Sequence, residues 1–587
     1  MERRVALLLG ALMVGCPSEE PASLFADEAP TEAGTEPTGT PEAPTPVTAE
    51  PPAGPLRFDD VTASWGLAWT HHAGRNAERW LPETMGGGVA VTDFDRNGAP
   101  DVLYVDGGEL SDAADASRHT LFLGDGKGGF RDVTDAWGLT TSGYGMGVAT
   151  GDVDGDGWTD VYLTTWGSGD RLLRNMGGER FEDVTDAWGL GQTGWGSSAA
   201  FFDADGDGDL DLYVVRYVDY TLADAIKCWF RTIHIYCTPT MYPAQSDLLY
   251  RNDGGRFTDV SAASGVAEHL TKGLALGTGD LDGDGDTDLY VATDTTRNLL
   301  LMNEGGMRFE ERGLLAGVAY SALGREESSM GVAITDADQD GHWDMAVTNF
   351  QSEPTSVYFG RSGTTFREQS DRAGVGTSSR ARLSFGIEFF DADNDGDDEL
   401  ITANGHIADN VAEYRDGVVP AQLNSLLMND GGRFTDVSAQ AGSALAHRGV
   451  SRGLAIGDLD SDGGLDVVVV NNEGPAIVGA NRGSRGHWLS LWLEGAPARD
   501  AIGAVVSARV GERTVTREVR GATSYLSVSD RRVHLGLGDA ATVDELEVRW
   551  PGGDVQRFTT VAGDRFLRLV QGGELAPYAP GAAVLPP

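Results

Sequence analysis

The chain has 587 residues and carries 90 acidic against 44 basic side chains, a formal charge of −46. That balance excludes a generic nucleic-acid binder, which needs a positive footprint, and suits metal cations, cationic groups or neutral sugars as partners. Hydrophobic residues at 40% exclude wholesale disorder, and 81 glycines among short Val/Leu/Tyr runs point to tight turns between strands.

In chain order, the first element is an address. Arg3 and Arg4 precede the apolar run Val5–Val14, too short for a permanent membrane span but suited to a signal peptide. Met13-Val14-Gly15-Cys16 resembles a bacterial lipobox, so residues 1–16 read as a lipoprotein signal with Cys16 as the lipidated residue; the alternative is an ordinary signal cut elsewhere. The product would be exported and membrane-anchored, at an outer membrane or cell surface. Residues 17–55, rich in Pro, Glu and Thr, cannot build a core and read as a disordered tether. With Cys16 assigned to lipid, Cys228 and Cys237 remain as a pair, and a local disulfide is expected in an oxidising compartment. Two thiols with only His234 nearby make an incomplete zinc shell.

From residue 56 the sequence repeats. VATGDVDGDGWTDVYLT, LGTGDLDGDGDTDLYVA and five further copies contain Asp-rich loops that begin at Asp93, Asp152, Asp203, Asp280, Asp336, Asp391 and Asp458. Between them recur hairpins such as LLRNMGGERFEDVT, two short strands joined by a Gly-rich turn. A repeat unit with about four short strands matches one propeller blade. The expected fold is all-β: a seven-bladed β-propeller over 56–483, followed by a small, separate β-sandwich-like domain over 484–575 and a tail over 576–587. LRFDDVTASWGL copies the later F-x-D-V-T strand with no Asp loop before it, so this N-terminal segment should complete the last blade and close the ring. Residues 216–246 and 405–424 break the period as insertions, and insertions in repeat folds tend to gather on a binding face. Trp137, Trp188, Trp195 and Tyr144 recur at blade-like intervals and read as wedges between blades.

In DVDGDGWTD, carboxylates fall at positions 1, 3, 5 and 9 with Gly at 6, the start of an EF-hand-type calcium loop. Alternate side chains of a loop curling round an ion point inward, and hard oxygen ligands in this number suit Ca²⁺ better than Mg²⁺. The expected ligands are Asp93, Asp95, Asn97 and Asp101; Asp152, Asp154, Asp156 and Asp160; Asp203, Asp205, Asp207 and Asp211. The remaining sets are Asp280, Asp282, Asp284 and Asp288; Asp336, Asp338, Asp340 and Asp344; Asp391, Asp393, Asp395 and Glu399; and Asp458, Asp460, Asp462 and Asp466. Asn97 lowers the charge of the first loop and Glu399 lengthens a ligand in the sixth, so these two should bind more weakly. Their regular phase, one per blade, marks the loops as scaffold.

These G-x-x-x-x-D-x-D-x-D-G-x-x-D cores resemble FG-GAP/VCBS repeats, as in integrin α-subunit propellers. The stretch from DAIGAVVSARV through RGATSYLSVSDRRVHLGLGD to VRWPGG is similar to the ASPIC/UnbV domain, and the combination resembles the bacterial relatives of cartilage acidic protein. The resemblance implies a propeller, calcium and an extracellular setting, but no reaction.

Two stretches stand outside the calcium pattern: THHAGRNAERWLPETMGGG, with His71, His72, Arg75 and Glu83, and ANGHIADN, with His406. Imidazoles with a carboxylate are candidates for a transition-metal or acid–base site, which would place them together at one end of the central channel. The preferred alternative is that they pack or hydrogen-bond at the propeller face, since no motif fixes their geometry. The leading function is therefore a calcium-stabilised surface lipoprotein that binds a protein or glycan. The alternative is an enzyme, such as a carbohydrate lyase or metal-assisted oxidase, using the non-repeat face.

Overall fold

The structure is a computed structural model that describes residues 56–582 apart from 111–115, 362–363, 484 and 497–498. The expected signal with Cys16 and the tether over 17–55 lie outside the described residues.

Seven four-stranded antiparallel units follow one another, as the repeat predicts. Their first strands are Val89–Thr92, Tyr144–Gly151, Gly196–Phe202, Gly273–Gly279, Glu327–Thr335, Ser384–Phe390 and Ser451–Gly457. Each first strand touches the next, and the seventh touches the first, so these strands line a closed ring about a central axis. The fourth and fifth units also merge into one eight-stranded sheet through pairing of Asp288–Thr296 with Glu327–Thr335. Closure comes from the N-terminus: Phe58–Asp60 pairs antiparallel with Ile477–Asn481 and supplies the outer strand of the seventh blade. Trp137 is a wedge between blades, since it belongs to the first unit and meets Phe181 of the second edge-on at 5.3 Å, whereas Tyr144 turns to the cap side and donates to the Ala73 and Pro82 carbonyls.

The glycine five residues before five of the seven loops (Gly88, Gly147, Gly331, Gly386 and Gly453) has a steric cause. A Cβ on Gly453 would lie 2.2 Å from the Gly87 carbonyl of the neighbouring blade, and one on Gly88 would lie 2.3 Å from the Leu526 carbonyl. Inner strands crowd at the axis, where there is no room for a side chain.

The C-terminal segment forms two four-stranded sheets, one of them containing the parallel pair His487–Glu494 and Arg565–Val570. Leu491, Val506, Leu535, Leu546 and Leu569 are buried between them. This small β domain packs closely on the propeller, since the same buried cluster runs on into Phe201, Leu212 and Leu289 of the blades. The link between strands Arg513–Glu518 and Val533–Gly538 also leaves the sandwich and enters the axial channel.

That link, Gly521–Asp530, bonds to all seven inner strands. Val91 donates to the Val528 carbonyl (2.9 Å), Val148 to Leu526 (3.1 Å), and Val332 and Ser524 exchange backbone bonds. Ser198 Oγ accepts from Leu526 N–H (3.3 Å), Thr278 Oγ1 from Gly521 N–H (3.0 Å), and Ser524 Oγ from Ile387 N–H (3.3 Å). The seventh contact joins Asp530 N–H to the Ile456 carbonyl at 2.9 Å. At its turn Ser524 and Leu526 hold φ of 66° and 55°, a left-handed conformation that costs energy for a branched side chain. Tyr525 is completely buried there, edge-on to Phe385 at 5.0 Å, with its hydroxyl on Met85 Sδ. The segment is a plug.

Gly88→Ala should therefore destabilise the protein by about 2–4 kcal/mol through this contact alone, since Gly88 has no left-handed φ to lose. Thermal unfolding checks it: a melting temperature equal to wild type would mean that the plug does not seat against this strand.

Candidate functional site

Two regions carry chemistry, on opposite faces of the ring. The Asp loops join the first and second strands of each blade; the two insertions and the His71–Glu83 segment lie at the other face.

Each loop is built the same way. The first-position carboxylate accepts the N–H of a glycine three to five residues on, for example Gly157 to Asp152 at 2.8 Å and Gly463 to Asp458 at 3.0 Å. The ninth-position carboxylate is completely buried in all seven loops, at Asp101, Asp160, Asp211, Asp288, Asp344, Glu399 and Asp466. One of its oxygens accepts the N–H of position 2 and the other an N–H of the third strand, as Asp160 does from Val153 (3.1 Å) and Asn175 (2.7 Å). It therefore bolts the loop to its own blade. Positions 1, 3 and 9 converge, with ligand oxygens within 4.8 Å of one another, in the loops starting at Asp93, Asp152, Asp203, Asp280 and Asp336, and two further groups of this kind exist. The fifth side chain instead accepts the N–H two residues on, from Asn97 Oδ1 (2.7 Å) to Asp462 Oδ1 (3.0 Å).

The donor set fits calcium. Buried oxygens of the third-position residues Asp205, Asp338, Asp393 and Asp460 have no hydrogen-bond partner, and each lies in its loop's carboxylate cluster. Burial, helped by neighbouring carboxylates, pushes Asp152, Asp211, Asp288 and Asp344 up to about 8 and Asp458 up to about 7. A hard divalent cation would relieve both the desolvation and the repulsion. In the second and seventh loops an arginine leans over the cluster: Arg174 reaches Asp154 and Asp156, and Arg482 reaches Asp460 (2.7 Å) and Asp462 (2.8 Å).

In the hairpins between loops, such as LLRNMGGERFEDVT, the Asn that opens the N-x-G-G turn does more than form the turn. The Asn of N-x-G-G accepts a turn N–H with Oδ1, but its Nδ2 crosses to the preceding blade. Asn175, Asn252, Asn303, Asn429 and Asn481 donate to the carbonyls of Phe94, Val153, Ala204, Ala337 and Ala392 at 2.7–3.0 Å. Gly124 and Gly360 take this place in the first and fifth blades. The sequence signal was the recurrence of Asn specifically, where a turn alone would accept other residues.

The C-terminal domain covers the loop face. Arg549 pairs with Asp280, Glu518 accepts Asp280 N–H, Asp500 accepts Asp152 N–H, and Arg532 donates to the Gly98 and Asp458 carbonyls.

On the opposite face the two insertions fold onto each other as a cap. Cys228 and Cys237 form the expected disulfide. Tyr236 of the first insertion packs on Ala408 and Val411 of the second, and Asn410 Nδ2 donates to the His234 carbonyl at 3.0 Å. Tyr236 also reaches inward, its hydroxyl donating to Glu83 Oε2 at 2.9 Å while Glu83 Oε1 takes Trp80 N–H. Arg452, from the seventh inner strand, ties the mouth together by donating to the Thr84 and Gly405 carbonyls. The structure thus brings His71, Glu83 and His406 to one mouth of the ring, around Arg452. Burial, with Arg452 among the added causes, pushes His71 down to about 3 and His406 to about 4, so both rings are neutral at physiological pH. His406 Nδ1 accepts Ala408 N–H and its ring meets Phe350 edge-on. His72 is apart from them, exposed, with Nδ1 3.3 Å from Asp106.

Two family profiles match the chain in the order described above. The FG-GAP-like repeat profile matches residues 93–163, 152–214, 280–347 and 336–402, and the profile named ASPIC and UnbV matches 494–576. Human cartilage acidic protein 1 is 25% identical over 514 residues, covering 82% of this chain and 71% of the human protein. The mouse protein is 26% identical over 506 residues, covering 80% and 71%. Among solved structures, an Agrocybe aegerita lectin that recognises non-reducing terminal N-acetylglucosamine superposes with TM-score 0.34 at 15% identity, covering 66% of this chain and 86% of the lectin. A Bacillus licheniformis rhamnogalacturonan lyase gives 0.30 at 13%, covering 81% and 90%.

If calcium fills the loops, removing it should lower the melting temperature substantially, with a characteristic pH dependence. The loop carboxylates are raised in the metal-free fold, so their favourable contribution is present below about pH 4 and lost as pH rises towards 8. In chelator the melt should fall from pH 5 to 8, and saturating calcium should abolish that slope; a melt unchanged by chelator across this range contradicts structural calcium.

Proposed function

We propose that this chain, which belongs to the FG-GAP-repeat and ASPIC/UnbV proteins related to cartilage acidic protein 1, works as an exported, calcium-stabilised binding module that takes a protein or glycan ligand on its cap. The observation that carries this reading is where apolar surface is left uncovered. Among the described residues nine large apolar side chains are exposed; Leu270, Leu314, Leu315, Leu323 and Val555 are scattered elsewhere, while Trp229 (59%), Met241 (50%), Val419 (49%) and Ile226 (41%) lie together on the two insertions and include the one exposed aromatic of the set. Trp229 is stacked on His234 at 4.8 Å, a rigid aromatic platform held by the neighbouring disulfide. Aromatic anchors of this kind supply contact area at low entropic cost, for a sugar ring or a protein side chain. The neutral, buried state of His71 and His406 favours binding over the enzyme reading, because neither ring is open to a substrate.

A glycan array and a pull-down from extracellular material, each with and without calcium, test the proposal. Trp229→Ala should weaken capture by about tenfold or more while leaving the melting temperature unchanged, as expected for an exposed anchor. Capture equal to wild type in both formats would remove the cap as the binding surface.

The anchoring part of the proposal rests on Met13–Cys16 and the apolar run before it. Fatty-acid labelling in a bacterial host should mark the wild type and not Cys16→Ser; label that persists in the variant, or none on the wild type, rules out lipidation at this cysteine.

A further inference from the structure

Arg452 is completely buried, and no carboxylate accepts a bond from it. Its Nε donates to the Thr84 carbonyl at 2.9 Å, and its Nη1 to the carbonyls of Gly405 (3.1 Å) and Ser451 (2.9 Å). The guanidinium lies over the Phe385 ring, 3.9 Å from its centre. Nη2 is buried and has no hydrogen-bond partner.

Two more buried nitrogens share this state around the same turn. His71 stands across Gly87 from Arg452: a Cβ on Gly87 would lie 3.6 Å from His71 Cδ2 and 3.7 Å from Arg452 Cβ. Glu473 N–H points at His71 Nδ1 (3.5 Å), which leaves the proton of the neutral ring on Nε2, and Nε2 has no partner. Arg75 Nε is the third. Its guanidinium is fixed by Asn472 Oδ1 (3.1 Å), and Asn472 Nδ2 in turn holds the carbonyls of Glu83 and Met85.

Three N–H donors, two of them on guanidinium cations, therefore surround the Glu83–Gly87 turn. Glu83 lies close enough to feel the charge of Arg75, but neither it nor Glu473 accepts a hydrogen bond from the three unpartnered nitrogens. Glu83 accepts from Trp80 and Tyr236, and Glu473 Oε1 accepts the N–H groups of Ala73 and Arg75. Water would satisfy the donors but not the charge, and a buried cation is strongly disfavoured without a counter-charge. The chain has 46 surplus negative charges, so a shortage of acidic residues does not account for an arginine placed here without one.

We propose that Arg452 Nη2, His71 Nε2 and Arg75 Nε hold a small hydrogen-bond-accepting anion, a halide or the carboxylate of a small acid, beneath the cap at the channel mouth. The anion neutralises the arginine pair and joins the seventh inner strand to the Glu83–Gly87 turn. That turn in turn carries the contacts to Tyr236, through Glu83, and to Tyr525 of the plug, through Met85. The site is distinct from the exposed cap surface and does not depend on what the cap binds.

The test uses the full chain with calcium present, dialysed into gluconate, a bulky anion, as the reference. At constant ionic strength, chloride or bromide, or else acetate, should raise the melting temperature by a few degrees in a saturable way, and the effective ion tells a halide site from a carboxylate site. Arg452→Met, which keeps the volume and removes the charge, should abolish the response. If that variant does not fold, wild-type crystals decide: bromide should give an anomalous peak, or acetate planar density, within hydrogen-bond distance of Arg452 Nη2 and His71 Nε2. A melt indifferent to the anion, or density that refines as water in both soaks, overturns the proposal.

Discussion

A ring of seven blades brings seven inner strands to one axis, and their backbone groups must be satisfied there or left facing a water-filled hole. In this protein a segment of the chain fills the hole. Residues Gly521–Asp530 supply backbone or side-chain partners to every inner strand and bury Tyr525 between them. Buried N–H and C=O groups are costly to leave unpaired, so the geometry of the axis, including the glycines that let strands approach it, follows from this single insertion. The C-terminal domain is thus part of how the propeller is held, and its hydrophobic core runs into that of the blades.

The plug also divides the molecule into two faces with different work. On one, the Asp loops are overlaid by the C-terminal domain, whose Arg549, Arg532 and Glu518 contact them directly. Carboxylate clusters enclosed in this way would suit a resident ion better than one that comes and goes, which is the setting the proposed structural calcium requires. On the other, the two insertions meet over the closed mouth and leave Trp229 and its neighbours exposed. Among the described residues the plug fills the channel between the faces, and the recognition proposed above falls to the cap.

Between blades the strongest recurring device is a side chain. The ninth-position carboxylate holds its loop to the third strand of the same blade, and the Asn at the end of that strand reaches the loop of the preceding blade. Loop, strand and neighbouring blade are thereby coupled. An ion in one loop would stiffen two blades, and loss of ions would be felt around the ring. Five blades carry the Asn and two carry Gly, so the coupling is uneven around the circle.

Much of this was legible in the sequence because it is periodic. The loop spacing, the N-x-G-G hairpins and the stray F-x-D-V-T strand at the N-terminus each repeat a local pattern. Local patterns fix strands, turns and the pairing of Phe58–Asp60 with Ile477–Asn481. The Cys228–Cys237 bridge followed from counting and proximity. What the sequence could not reveal are contacts between residues hundreds of positions apart with no repeat to mark them. Nothing local in ATSYLSVSD says that it leaves its own sandwich for the propeller axis. Nothing local in Arg452 says that it sits between His71, Thr84 and Gly405. Ring closure alone brings these groups together, so the repeat determined the blades, and the tertiary structure decided what fills the axis and what lies at its mouth.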